Sequence, residues 1–396
     1  MVLLIPLAAV VAPLLAALIG RVLVVPLIVF EIALGLLIGP SGLGWVQSGD
    51  VLDAMSDVGL AMLFFMAGNE MRVRNLRGAV GVRAGIGWVG SVAMALAVGF
   101  VLGPTPQAAI IIAIALTGTA LGTITPIVLD SGLNKGPVGA AISAVGAFGE
   151  FAPLVAMTIL LGGRSPLASV VMLLFFVVAM GVAFRLSALG TRPWVKRMIS
   201  ATLNTSGQFA VRLVLLVIGA VVTLTVAIGI DFLLGAFTAG MLVHVMLRDV
   251  DPEEMEIVDQ KIAAVAYGFF VPLFFVTTGV TFPLAELLGN AKALLLVPVF
   301  ALLMLVIRGV PSFFVLQKGA ELTDRRTVGL FGATTLPLVI AVTSIGTDSG
   351  TLDAAIAASM VGAGMLTVLL FPMLALVGRP AAQPQDEGEA QLTAPA

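Results

Sequence analysis

The chain consists mainly of apolar stretches about 20 residues long, the length that a helix needs to cross the hydrocarbon core of a membrane. Hydrophobic residues make up 60% of the 396 positions and charged residues 11%, whereas soluble domains are about half apolar and about a quarter charged. The sequence therefore predicts an all-α polytopic membrane protein. The thirteen predicted spans are, approximately, 2–19, 22–38, 54–70, 84–103, 108–129, 138–162, 168–190, 208–228, 232–247, 263–282, 292–316, 327–346 and 353–377.

Several function classes are excluded by the residues that the chain lacks. It has no cysteine, which excludes disulfides and thiolate metal sites, and a single histidine, His244, which excludes a Ser-His-Asp triad. The net charge of −2 offers no basic surface for nucleic acid. We expect neither an enzyme nor a cofactor, and we expect His244 to be a packing or surface residue.

The basic residues predict how the chain is oriented. With the N-terminus outside and the C-terminus in the cytoplasm, all of the 20 Lys and Arg residues except Arg164, Lys292 and Arg308 fall at the inner face. This is the asymmetry of the positive-inside rule, and it favours a multi-pass protein of the cell (inner) membrane. We also expect an interfacial helix at 192–204, a disordered cytoplasmic tail at 379–396 and no attached soluble domain.

A few charged residues fall inside the apolar spans. A charge at the centre of a span costs about 2.5–3.5 kcal/mol on insertion scales, so each is a candidate functional residue. They are Glu31, Glu150 and Arg308, while Asp57 and Glu70 lie near a span end. Glu150 and Arg308 have similar predicted depths, which favours an ion pair, either functional or purely structural. Glu31 either bonds to another helix or lines a cavity.

Two spans combine hydroxyl side chains with glycine and proline. The fifth contains TGTALGTITP, residues 117–126, and the twelfth contains GATTLP, residues 332–337. Proline removes a helical hydrogen bond, so Pro126 and Pro337 predict interruptions, although two kinked helices are the simpler alternative. Because the two spans are seven apart, they run in opposite directions. This layout predicts inverted repeats at about 1–162 and 208–377 with a linker helix at 168–190, inside one transmembrane unit of 1–378.

Five segments, in this order and spacing, resemble a known family. They are VPLIVFE (25–31), GPSGLG (39–44), GLAMLFFMAGNE (59–70), LGAFTAG (234–240) and PLFFVTTG (272–279). The chain resembles the cation:proton antiporter superfamily, closest to its bacterial Kef-type and Na⁺/H⁺ exchanger-like branch. The resemblance implies an inverted-repeat sodium/proton antiporter fold with a scaffold domain, a mobile core domain, two crossed discontinuous helices and a homodimer.

The resemblance also implies an ion site. The family carries a pair, Asn-Asp, Asp-Asp or Gln-Asp, after the first broken helix, and here the matching pair is Gly149-Glu150. The acid is kept and its polar neighbour is absent. Arg308 matches the basic residue that the family places opposite the acid. The soluble regulatory domain of Kef-like members has no counterpart in this sequence, so their ligand gating is not carried over.

These features together predict exchange of Na⁺ or K⁺ for H⁺ by alternating access across the lipid bilayer, as in pH homeostasis. Glu150 would hold either the proton or the cation, with Arg308 as its charge partner. One titrating acid predicts one-for-one, electroneutral exchange. Hydroxyl and carbonyl oxygens suit hard cations. The candidate ligands are Thr119, Thr123, Thr125, Thr334 and Thr335; the broken-helix positions are Gly122, Pro126, Gly149 and Pro337; Glu31 and Glu70 are possible cavity acids.

Two other functions are compatible with the same residues. The first is transport of an organic anion, bound by Arg308 and helix N-termini. The second is a non-transporting membrane protein in which Glu150 and Arg308 form a fixed structural pair.

Overall fold

The computed structural model describes residues 3–19, 25–47, 49–71, 76, 78–134, 136–163, 165–188, 190 and 193–379, and every regular element among them is helical. The helices are α1 Leu4–Ile19, α2 Leu27–Ile38, α3 Asp50–Glu70, α4 Ala79–Leu102, α5 Pro106–Leu116, α6 Leu121–Asp130, α7 Gly136–Leu160, α8 Pro166–Ala188, α9 Pro193–Thr202, α10 Phe209–Ile228, α11 Phe232–Leu247, α12 Pro252–Val265, α13 Val271–Thr281, α14 Leu284–Gly289, α15 Ala291–Met304, α16 Val310–Phe313, α17 Leu322–Ala333, α18 Pro337–Asp348 and α19 Ala354–Leu376. Two π-helical turns, Ala266–Phe270 and Leu305–Gly309, join α12 to α13 and α15 to α16.

The predicted all-helical membrane fold is confirmed. Ten helical stretches in the described part of the chain are long and apolar enough to cross a membrane, and α1, α2 and α11 are shorter apolar helices. The count of thirteen spans stays a prediction. The largest difference in limits is at the tenth predicted span, 263–282, where the helical stretch runs from Pro252 to Gly289. The first turns of this stretch, which follow the N-cap Asp251, carry several charged residues. The hydropathy of the sequence therefore did not assign them to the span.

Both predicted helix interruptions are present. α5 ends at Leu116 and α6 begins at Leu121, which leaves the first break at residues 117–120; the second break, residues 334–336, separates α17 from α18. Pro337 is the first residue of α18, a position that needs no amide donor. Pro126 lies inside α6, five residues beyond its start, so the prediction that it interrupts the helix is wrong. The first break contains no proline at all.

The helices around the breaks approach one another closely. Gly68 on α3 and Gly240 on α11 face each other, and a Cβ at either position would overlap a backbone carbonyl of the other helix. Small residues at such contacts let two helix backbones touch, which is how helices pack in a membrane without a hydrophobic driving force. The stretches that contain the two breaks are mostly buried, whereas α4, α8 and α10 have few buried residues. The breaks therefore lie inside the bundle.

Other predicted features are only partly described. A helix, α9, occupies most of the predicted interfacial segment 192–204. The predicted disordered tail, 379–396, lies outside the described residues except for Arg379. Several of the basic residues that predict the orientation also lie outside them, so the orientation and the repeat boundaries stay predictions.

Candidate functional site

The two breaks meet in the middle of the bundle. The amide of Ala120, in the first break, donates to the carbonyl of Thr334, in the second (2.9 Å). The amide of Thr119 donates to the carbonyl of Gly149 on α7 (2.9 Å). A buried interruption leaves backbone groups without helical partners, and each needs another partner to avoid a large desolvation cost. Here the breaks and α7 supply those partners to one another.

Prolines inside the helices provide some of these partners. Pro153 has no amide hydrogen, so the carbonyl of Gly149, four residues earlier on α7, is left without its helical donor and accepts the amide from the first break instead. Pro311 lies four residues after Ile307 and leaves its carbonyl without a helical donor in the same way. That carbonyl accepts a hydrogen bond from the hydroxyl of Ser91 on α4 (2.6 Å). The prolines thus connect neighbouring helices around the crossing.

Glu150 lies near the middle of α7 and is 2% exposed. Its Oε2 accepts a hydrogen bond from the amide of Leu121 (2.9 Å), the first residue of α6. The amides at a helix N-terminus are unpaired and carry partial positive charge. The carboxylate therefore satisfies the N-terminus of the half-helix that begins at the first break.

Arg308 is also 2% exposed and lies in the π-helical turn after α15. Its Nε and Nη2 donate to Oγ1 of Thr119 (3.1 and 2.8 Å), and Nη2 also donates to the carbonyl of Val145 (3.1 Å). No ion pair joins Arg308 to Glu150, both of which are described, so the predicted direct contact is wrong. Similar depth does not bring the charges together, because the α6 amide binds the acid and the Thr119 hydroxyl binds the base.

Gly149 lies against the guanidinium group of Arg308. A Cβ at this position would lie 2.5 Å from Nη2 of Arg308 and 2.5 Å from Oγ1 of Thr119. That is closer than real Cβ atoms approach another heavy atom. The guanidinium group and the threonine hydroxyl therefore fill the space that a larger residue before Glu150 would need.

The site has a second carboxylate, that of Glu70. Glu70 is the last residue of α3 and is partly buried, and its charge is close enough to that of Glu150 for the two to interact. Its Oε2 is buried and has no hydrogen-bond partner among the described residues. A buried oxygen without a donor is costly unless another group, such as a cation, satisfies it. The candidate site thus contains two acids.

The other predicted ligand threonines have different surroundings. Thr123 is 1% exposed and its hydroxyl has no described hydrogen-bond partner. Thr125 and Thr334 each donate to a carbonyl one turn earlier in the chain (2.8 and 3.0 Å). The hydroxyl of Thr335 is also buried without a partner, while its backbone bonds to Thr367 of α19. Of this set, Thr123 has a free hydroxyl in the first turn of α6, the helix that Glu150 caps.

A cavity of about 820 Å³ extends from one end of the bundle towards the crossing. Asp130, at the far end of α6, lines its outer part, and Gly122, Thr123 and Tyr267 line it next to the site. Glu150 is not among its lining residues, but Gly122 is, and it follows Leu121, whose amide binds the acid. Glu31 lines the cavity from α2, and the structure gives it no hydrogen bond to another described helix.

Residues 7–376 match the family model described as the transmembrane sodium/hydrogen exchanger. The chain belongs to this family. It is similar to the putative Na⁺/H⁺ antiporter YjbQ of Bacillus subtilis, with 27% identity over 88% of this chain and 58% of that protein. It is also similar to the probable Na⁺/H⁺ antiporter 3 of Methanocaldococcus jannaschii, with 23% identity over 88% and 89% of the two chains.

The fold of this exchanger family member is found in a solved structure as well. The sodium proton antiporter MjNhaP1 of Methanocaldococcus jannaschii matches 94% of each chain with a TM-score of 0.64 and 17% identity. This likeness shows a shared fold. The chain spans 58% of the length of the Bacillus subtilis relative, so what the whole relative does is not transferred directly.

Two parts of the site could not be predicted from the sequence. Tyr267, the only tyrosine of the chain, lies in the π-helical turn after α12 and its hydroxyl donates to the carbonyl of Gly122 (3.3 Å). The only feature of the sequence that pointed to Tyr267 was that the chain has no other tyrosine. The sequence could have shown that the Gly149 carbonyl lacks its helical donor, because Pro153 lies four residues later. It could not have shown which group replaces that donor.

Proposed function

We propose that the protein exchanges a monovalent cation, Na⁺ or K⁺, for a proton across the cell membrane, and that Glu150 binds either one. The observation that carries this proposal is the buried Glu150 carboxylate at the crossing of two broken helices, next to the second acid Glu70. Membership of the sodium/hydrogen exchanger family and the antiporter names of the relatives support it.

The charges of the site support a one-for-one exchange. Glu70 and Glu150, when ionised, carry two negative charges, and Arg308 carries one positive charge, so the three groups together have a net charge of −1. Leaving that charge uncompensated inside the protein is costly. One monovalent cation or one proton neutralises it, and binding both gives an unfavourable positive charge. The two ligands therefore exclude each other, and each transport cycle moves no net charge.

Alternating access would follow from movement of the crossing relative to α1, α2 and α13. The cavity gives access from one end of the bundle, and movement of the helices that carry the crossing would close it and open a path on the other side. We keep the predicted repeats, a homodimer, and the orientation with an outer N-terminus in the inner membrane as parts of this proposal. Only the neutralised site would cross readily, which limits leak.

The proposal is tested in acid-loaded proteoliposomes with a fluorescent pH indicator. Addition of Na⁺, K⁺ or Li⁺ is expected to relieve the internal acidity, and the concentration dependence identifies the preferred ion. An imposed membrane potential is expected to leave the initial rate unchanged. Absence of cation-driven proton flux would refute the exchange, and a voltage-dependent rate would refute the net charge of −1.

Glu70→Gln is expected to weaken cation binding while exchange persists. Without the second negative charge, Glu150 and Arg308 already cancel, so an added cation leaves a net positive charge. The KM for the cation should rise by about tenfold or more, and the maximal rate should fall because the loaded site is no longer neutral. The measurement is the cation dependence of proton flux in proteoliposomes.

Glu286→Gln is the matched control, because this glutamate is exposed on α14. Its KM should equal that of the wild type. A Glu70→Gln variant with an unchanged KM would mean that Glu70 takes no part in holding the cation.

A further inference from the structure

A carbonyl that the helix cannot satisfy stands between the cavity and Glu150. In α6 the carbonyl of Gly122 would bond to the amide of residue 126, but that residue is Pro126 and has no amide hydrogen. Its partner is instead the hydroxyl of Tyr267, at 3.3 Å. That distance is longer than the usual 2.5–3.0 Å for such a bond. The carbonyl is therefore only weakly satisfied in this state.

A second unsatisfied oxygen lies next to it. The hydroxyl of Thr123 is buried, with the residue 1% exposed, and has no hydrogen-bond partner in the part of the chain that the structure describes. Gly122, Thr123 and Tyr267 all line the inner part of the cavity, whereas Glu150 does not. Gly122 follows Leu121, whose amide binds Glu150, so these residues lie where the cavity comes near the acid. Two oxygens that lack good donors are therefore placed at that point.

We propose that Gly122, Thr123 and Tyr267 form a gate site, in which the Gly122 carbonyl and the Thr123 hydroxyl bind the partly dehydrated alkali cation on its way from the cavity to Glu150. The Tyr267 hydroxyl occupies the carbonyl when no cation is present and moves away when one arrives. This inference rests on the proposed cation/proton exchange and adds an intermediate binding step to it.

The physical argument is that a cation and a hydrogen-bond donor compete for one carbonyl. Alkali cations prefer oxygen ligands such as carbonyls and hydroxyls, and a cation that leaves water needs them at once. The Tyr267 bond satisfies the carbonyl in the empty state, so the empty gate has no orphaned backbone oxygen. Because that bond is long, its replacement costs little. Tyr267 also lies in a π-helical turn, a feature frequent at functional sites.

Two substitutions should shift cation affinity in opposite directions. Tyr267→Phe removes the competing donor, and the KM for the cation should fall by about threefold. Pro126→Ala restores an amide that bonds permanently to the Gly122 carbonyl, and the KM should rise by about threefold to tenfold. In the double variant the restored amide occupies the carbonyl whether or not Tyr267 is present. Its KM should therefore equal that of Pro126→Ala alone.

The measurement is the cation dependence of proton flux in proteoliposomes at fixed pH, with KM and maximal rate determined separately. Thr123→Val removes the second oxygen and should raise the KM as well, which gives a test independent of any change in the shape of α6. Thr158→Val is the control: this threonine is buried on α7 and its hydroxyl bonds to Leu154 one turn earlier (3.0 Å). Its KM should match the wild type.

The outcomes separate the gate from the exchange itself. If the wild type shows no cation-driven flux, the exchange fails and the gate fails with it. If the wild type exchanges and Glu150→Gln does not, while the Tyr267, Pro126 and Thr123 variants all keep the wild-type KM, the gate alone is refuted. A purely structural role for Tyr267 would lower the maximal rate without lowering the KM, and that result would also overturn the proposal.

Discussion

Glu150→Gln should abolish cation-driven proton flux. The amide has nearly the same shape as the acid, but it neither releases a proton nor carries the negative charge that holds a cation. Its oxygen can still accept the hydrogen bond from the Leu121 amide, so the first turn of α6 should stay in place. We expect flux at the level of empty liposomes and a change in folding stability below about 1 kcal/mol, measured by proteoliposome flux and by thermal unfolding in detergent.

Glu150→Asp provides the comparison within the same position. It keeps the titrating group but shortens the side chain by one methylene, which lengthens the contact to the Leu121 amide. Exchange should persist with a higher KM. Residual cation-driven flux in Glu150→Gln would contradict the central role of this acid. Flux of an organic anion that survives the substitution would favour the anion-transporter alternative.

Most of the fold could be predicted from the sequence, because a membrane allows a chain only a few kinds of structure. Apolar length fixes most of the helices, and the hydroxyl-rich segments at 117–126 and 332–337 did predict two interruptions. The exact site of the first one was not readable. It lies at residues 117–120, where tertiary hydrogen bonds to Thr334 and Gly149 replace the helical ones. Such partners come from distant parts of the chain and leave no local signal.

The charged residues of the site could be predicted from the sequence, but the contacts that they make could not. The cost of burying a charge identified Glu150 and Arg308, but depth alone does not fix the direction in which a side chain points. Each has a closer partner: the Leu121 amide binds Glu150, and the Thr119 hydroxyl binds Arg308. The fixed ion pair required by the non-transporting alternative is absent from these two described residues. Glu70 was placed near a span end by its position in α3, yet one of its oxygens is buried.

Gly149→Ala should severely reduce both stability and exchange. The added Cβ would lie 2.5 Å from Nη2 of Arg308 and from Oγ1 of Thr119, so the guanidinium group or α7 must move. Overpacking of this kind costs roughly 1–3 kcal/mol, and displacement of Arg308 also breaks the hydrogen bonds that hold the first break. We expect a lower melting temperature in detergent and a strong loss of proton flux in proteoliposomes.

Gly90→Ala is the matched control, because a Cβ at this exposed position on α4 meets no heavy atom within 4 Å. It should leave both measurements unchanged. Gly149→Asn is a more demanding test, because it places before the acid a polar residue of the kind that the family resemblance implies. Here it should be worse than alanine, because Arg308 and Thr119 already fill that space. An asparagine variant that transports as well as the wild type would show that the guanidinium position is not fixed by Gly149.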